Sequence, residues 1–194
     1  MTQLLPMMMY CFVMSITPGP NNMMLTASGA NFGYRRTLPQ ILGINAGGVV
    51  LAMVSCAGLG KVFLLWPAAQ AVLRVAGALY LVFLAWKLAR ARVGDAAVLR
   101  PQSFAEGALF QAINPKSWIK AVTLASVFMP ADMSPLMAGA LIATVGTLVG
   151  FPCVSVWALF GVAIRGFLQD ARRQRAFNLL MAATLLVLAA LFLR

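Results

Sequence analysis

The chain has 194 residues, of which 62% are hydrophobic and only 10% charged, with a mean hydropathy of +0.89. A soluble domain carries about a quarter charged residues, so water could not solvate this surface, and the composition excludes a soluble globular enzyme. The formal charge of +11 rests mostly on basic residues set between apolar runs, the pattern of membrane flanks rather than of a nucleic-acid interface.

Each crossing needs about 20 apolar residues at a rise of ~1.5 Å, so the length allows about six or seven spans with short loops and no separate soluble domain, and the apolar runs number six. The first apolar run covers roughly 4–30. It lacks the basic n-region of a signal peptide, and the expectation is a retained span. It is interrupted by Thr17-Pro18-Gly19-Pro20-Asn21-Asn22, and Gly33-Tyr34-Arg35-Arg36 reads as the connector that follows. The second run, roughly 39–62, carries Gly43, Asn45 and Gly47, and ends before Trp66 and Pro67. The third, roughly 69–91, ends in Arg92-Val93-Gly94-Asp95 and Arg100-Pro101; Trp66 and Trp86 are expected at the membrane interface.

The fourth run, roughly 103–129, holds Glu106 about one turn inside its start and is interrupted by Asn114-Pro115-Lys116. Lys120 follows Lys116 by one helical turn and is expected on the same face, while Trp118 suits either lipid or a cavity wall. After Pro130-Ala131-Asp132 comes the fifth run, roughly 134–163, with Gly146 and Gly150. Asp170-Ala171-Arg172-Arg173 then leads to the sixth, roughly 174–193.

Ten basic residues flank one side: Arg35, Arg36, Lys87, Arg90, Arg92, Arg100, Arg165, Arg172, Arg173 and Arg175. The other side has Lys61, Arg74 and Arg194, so the ten should face the cytoplasm and both termini the outside of an inner (plasma) membrane. The fold class expected is all-α: one transmembrane domain over 1–194, six helices, two three-helix halves at about 1–93 and 101–194. An odd number of spans per half makes the repeat inverted, with helices 1 and 4 broken. The glycine pairs Gly43/Gly47 and Gly146/Gly150 occupy matching spans and are expected to permit close helix packing.

The two breaks are where chemistry is expected. A proline inside a helix removes a donor and clashes with the carbonyl four residues back, at about 3 kcal/mol or more, and in lipid the freed groups need partners. Pro18 lies about 14 residues into its span and Pro115 about 12, so from opposite faces both reach roughly mid-bilayer. Thr17 or Gly19 can cap a new helix with Pro20 in its first turn, and Asn114 can cap one with Pro115 at its first position. Such helix starts favour a carboxylate, and Lys116 adds a full positive charge. Asn21, Asn22 and Asn45 can accept from an ammonium group, so the implied ligand is a small zwitterion. Cys11, Cys56 and Cys153 have no paired spacing and read as buried thiols; there is no histidine, and neither a metal nor a cofactor is expected.

The run Thr17-Pro18-Gly19-Pro20-Asn21, with Gly33, Gly43 and Gly47, then Phe104, Gly107 and Asn114-Pro115-Lys116, resembles the LysE/RhtB superfamily of amino-acid exporters, most of all its cysteine and O-acetylserine exporters. The resemblance spans nearly the whole chain and implies proton-coupled efflux of small amino acids or derivatives (cysteine, O-acetylserine, homoserine, threonine) and, for many members, a homodimer. Two departures stand out. Ser117-Trp118-Ile119-Lys120 replaces the Leu-Phe-Phe type run common after the second motif. Neutral Asn21-Asn22 stands where lysine exporters tend to carry charge, which disfavours a dibasic substrate. The proton carrier stays open among Glu106, Lys116 and the substrate's own amine. An enzyme is not expected, since it would need a nucleophile, a base or a metal set, and there is no histidine and no acid pair near a shared depth. A channel for a small polar solute and a non-transport assembly subunit are the alternatives.

Overall fold

The computed structural model describes residues 4–59, 67–90, 100–130 and 132–193. Every regular element among them is helical. Helices α1 (Leu4–Ile16) and α2 (Pro20–Phe32) share the first apolar run; α3 (Tyr34–Val54) runs on into a wide π-helical turn, Ser55–Leu59; α4 is Pro67–Ala89. Helices α5 (Phe104–Ile113) and α6 (Pro115–Val127) share the fourth run, and α7 (Pro135–Ala163), a 3-10 turn (Phe167–Gln169) and α8 (Ala171–Phe192) complete the chain. By length and composition the stretches Tyr34–Gly58, Pro135–Ala163 and Ala171–Leu191 can each cross a membrane, and Leu4–Ile16 and Val75–Ala89 are shorter apolar helices. Lys61, Trp66, Arg92, Asp95 and Arg194 lie outside the described residues, as does the side chain of Arg74.

Two connectors are shorter than the sequence suggests. Gly33 alone turns the chain between α2 and α3: at φ 82° it adopts the left-handed conformation that glycine alone enters freely, and its N–H donates to the Gly29 carbonyl. Tyr34, Arg35 and Arg36 are therefore helical, and α3 starts well before residue 39. Asp170 accepts from the amides of Arg172 and Arg173 at 3.0 Å, so Ala171, Arg172 and Arg173 form the first turn of α8 rather than a loop.

The outer surface is apolar. Leu79, Leu109 and Leu148 are 65%, 72% and 71% exposed, far more than a water-facing surface tolerates as a continuous belt, and this is the outside of a membrane protein. Inside, one apolar cluster joins Met23 and Met24 to Leu81 of α4, Phe110 of α5 and Leu185 of α8. A second joins Cys11 of α1 to Ala52 and Cys56, Leu124 of α6 and Ile142 of α7. A third ties Leu25 to Ile41, Ile44, Val154 and Ala158. Cys11, Cys56 and Cys153 are all buried and unpaired.

The strongest packing pairs are α3 with α5, α2 with α7, α4 with α8, and α3 with α7. Lipid gives little hydrophobic drive between helices, so close approach through small residues supplies the dispersion energy. Gly29 lies against the Ala158 carbonyl of α7, and Gly161 of α7 lies back against the Thr26 carbonyl. Gly43 of α3 meets the Phe104 carbonyl of α5, and Gly107 of α5 meets the Gln40 carbonyl. Both contacts sit at the end of the molecule that carries Arg35, Arg36, Arg100 and Arg165. A methyl group at residue 29 overlaps backbone, which cannot rotate away. Gly29→Ala is therefore expected to push α2 off α7 at a cost of about 1–3 kcal/mol, read as a lower Tm of the detergent-solubilised protein.

Candidate functional site

The first break leaves the last carbonyls of α1 without helical partners. Side chains from three directions meet them. The Asn22 amide donates to the Ser15 carbonyl at 2.9 Å and to the Thr17 carbonyl at 2.8 Å. The Trp157 indole of α7 donates to the Ile16 carbonyl at 3.0 Å. The Thr17 hydroxyl turns back to the Val13 carbonyl at 2.7 Å. Gly19 occupies the cap position of α2 with Pro20 next, and no side chain caps the free amides there. The Asn22 Oδ1 atom is buried without a hydrogen-bond partner.

The second break is capped differently. The Asn114 side chain accepts from the Lys116 amide at 3.1 Å, and Pro115 fills the first helical position, where a missing N–H costs nothing. The Trp118 indole donates to the Ala112 carbonyl at 2.7 Å, as Trp157 does for the other break. Between the breaks stands Lys116. Its ammonium donates to the Thr17 carbonyl and the Thr17 hydroxyl, both at 2.9 Å, and to the Pro18 carbonyl at 3.1 Å. An ammonium has three N–H donors, so this set uses them all. The side chain lies over Gly19, whose missing Cβ leaves the room it needs. Asn21 and Gln111 exchange two amide hydrogen bonds, at 2.9 and 3.1 Å, and complete the join.

Against this join lies a cavity of about 100 Å³. One water needs about 10–15 Å³ by that measure, so the space takes several waters or one small solute. Its walls come from the end of α1, the start of α2, the latter part of α3, the end of α5, α6 and the middle of α7. Two cations reach it, Lys116 and Lys120, and Lys120 donates to the Ser15 hydroxyl at 2.9 Å. Among the described residues the one ion pair is Arg100–Glu106, at 2.8 Å and away from the cavity. Neither cavity lysine has a carboxylate partner there.

These features, a pair of proline breaks tied together and facing a small, largely apolar cavity that two lysines reach, extend over most of the chain. The family model for LysE type translocators matches residues 12–194. The chain belongs to the LysE-type translocator family. It is a multi-pass membrane transporter and not an enzyme. The translocator is 31% identical over 186 residues to the cysteine/O-acetylserine efflux protein of Escherichia coli, which covers 93% of this chain and 92% of that one. Proteins of the same description from Shigella flexneri and Shigella sonnei match over the same 93% and 92% at 31% identity. No solved structure matches.

Of the residues read from the sequence as substrate-binding, the translocator brings Gly19, Pro20, Asn21, Asn22, Asn45, Asn114 and Lys116 to the cavity wall. Thr17, Pro18 and Pro115 shape the breaks behind it. Glu106 is not in the wall. It forms a reciprocal cap with Ser103 at the start of α5 and pairs with Arg100. The glycine pairs part company: Gly43 and Gly47 press on α5, whereas Gly146 and Gly150 line the cavity, and nothing lies within 4 Å of where a Gly146 side chain would start. The sequence reading missed Ser15, Gln111 and Ser117. Gln111 gave the best signal, a glutamine three residues before Asn114 in an otherwise apolar turn; it is buried and also accepts from Ser117 at 2.6 Å.

Proposed function

We propose that this translocator exports small neutral amino acids or their derivatives, of the cysteine, O-acetylserine, homoserine and threonine type, by proton-coupled alternating access. The single observation that carries the reading is the cavity of about 100 Å³ set on the joined breaks, with ammonium groups and amide oxygens in one wall. Its size suits a small zwitterion, and two cations without a counter-ion disfavour a dibasic one. The names of the relatives point to the same substrate class.

The proposal includes six spans in two inverted halves. Packing partners support it: exchanging spans one and four, two and five, three and six turns the contacts of α1 and α2 with α7 into those of α5 and α6 with α3, and leaves α3 with α7 and α4 with α8 in place. With the basic end in the cytoplasm and both termini outside, the cavity lies in the outer half, and the Gly29–Ala158 and Gly43–Phe104 crossings seal the inner half. A sealed inner end beside an outer cavity suits a transporter and not an open channel. The cap that holds Glu106 away from the cavity disfavours it as proton carrier. Purified protein in proteoliposomes is expected to exchange labelled O-acetylserine or cysteine against unlabelled substrate, with saturation and with stimulation by a proton gradient. Flux proportional to concentration, without counterflow, would overturn the reading in favour of a channel.

A further inference from the structure

We propose that Lys120, not Lys116, receives the substrate's carboxylate, at a seat over Gly150 that Ser15 and Asn45 share. The assignment rests on the reading of the cavity as an amino-acid site. Lys116 has no donor to spare, because the Thr17 and Pro18 carbonyls and the Thr17 hydroxyl take all three. Its place is structural: it locks the end of α1 to the start of α6. Lys120 is different. Among the described residues its one hydrogen bond goes to Ser15, at 2.9 Å, so two N–H donors stay open to a ligand.

The position is built by four helices. A methyl group added at residue 150 of α7 would sit 3.5 Å from the Ser15 Oγ atom of α1, 3.6 Å from the Asn45 Oδ1 atom of α3 and 3.8 Å from the Lys120 Nζ atom of α6. Three polar tips thus converge on a space that exists because residue 150 has no side chain. Asn45 is oriented: its amide nitrogen donates to the Ile41 carbonyl at 2.8 Å, which fixes its oxygen as the acceptor facing the seat. A carboxylate there gains an ammonium and, through Ser15, a hydroxyl; the adjacent α-ammonium finds the Asn45 oxygen. The cation in turn gains the counter-ion that it lacks at this depth, where an unpaired charge is costly.

The test is ligand-induced thermal stabilisation of the purified translocator by cysteine, O-acetylserine, homoserine and threonine, each against its own α-carboxamide. The wild type is expected to prefer the acids at least about tenfold, the worth of a charge-assisted hydrogen bond. Lys120→Gln should bring acid and amide level, whereas Lys120→Arg and Lys116→Gln should keep the preference. Gly150→Ala, which makes only ordinary contacts, should keep the unliganded Tm and weaken every acid at least about tenfold by filling the seat. A preference that survives Lys120→Gln and is lost in Lys116→Gln would overturn the assignment. So would Gly150→Ala binding like wild type. Stabilisation by none of the acids in the wild type defeats the amino-acid reading itself and this seat with it.

Discussion

Lys116→Met is expected to lower export at least tenfold while the protein still inserts and folds. Each of the three hydrogen bonds that it removes is charge-assisted, and such bonds are worth about 1.5–3 kcal/mol, so losing even one net bond is roughly a tenfold change. The Thr17 carbonyl keeps the Asn22 amide as a partner, which limits the damage to the fold. The Pro18 carbonyl loses its partner from α6, and α1 is no longer fastened to α6. Initial efflux rates per mole of reconstituted protein measure the first effect. Amide hydrogen exchange around Met14–Thr17 measures the second and should rise in the variant. Wild-type efflux with unchanged exchange would remove Lys116 from the mechanism.

That coupling was half legible from the sequence. The depth of Pro18 and Pro115 could be counted along the spans, and proline chemistry says that carbonyls near them need partners. Which partners could not be read, because they come from far away in the chain: Trp157 serves Ile16, Lys116 serves Thr17, and Gln111 pairs with Asn21. Serine in an apolar helix usually bonds its own backbone, so Ser15 carried no signal until Lys120 of another helix was placed beside it. The apolar runs predicted the helices well, since lipid leaves the backbone few alternatives. Their ends were less visible. Arg35, Arg36, Arg172 and Arg173 looked like loop residues because they are charged, yet a first helical turn at a membrane surface can carry charge outward.

The glycine pairs show where sequence reasoning stops and a conformational state begins. Gly43/Gly47 and Gly146/Gly150 have the same spacing, but only the first pair is in tight contact with another helix. In the proposed inverted repeat with alternating access, the second pair would be the surface against which the outer half closes when the inner half opens. The Cβ of Gly146→Leu therefore starts into open space in this state, and its Tm is expected to match wild type. Its side chain projects into the cavity and props the outer half apart, so export should fall roughly five- to 150-fold, if closure is opposed by the roughly 1–3 kcal/mol that overpacking costs. Gly43→Leu has the reverse signature. Its Cβ collides with the Phe104 carbonyl, so the fold itself should suffer, with a lower Tm and less protein in the membrane. Thermal unfolding and efflux measured on the two variants separate the cases. Normal export by Gly146→Leu, or a fully stable Gly43→Leu, would show that the two pairs are not alternately used halves of one device.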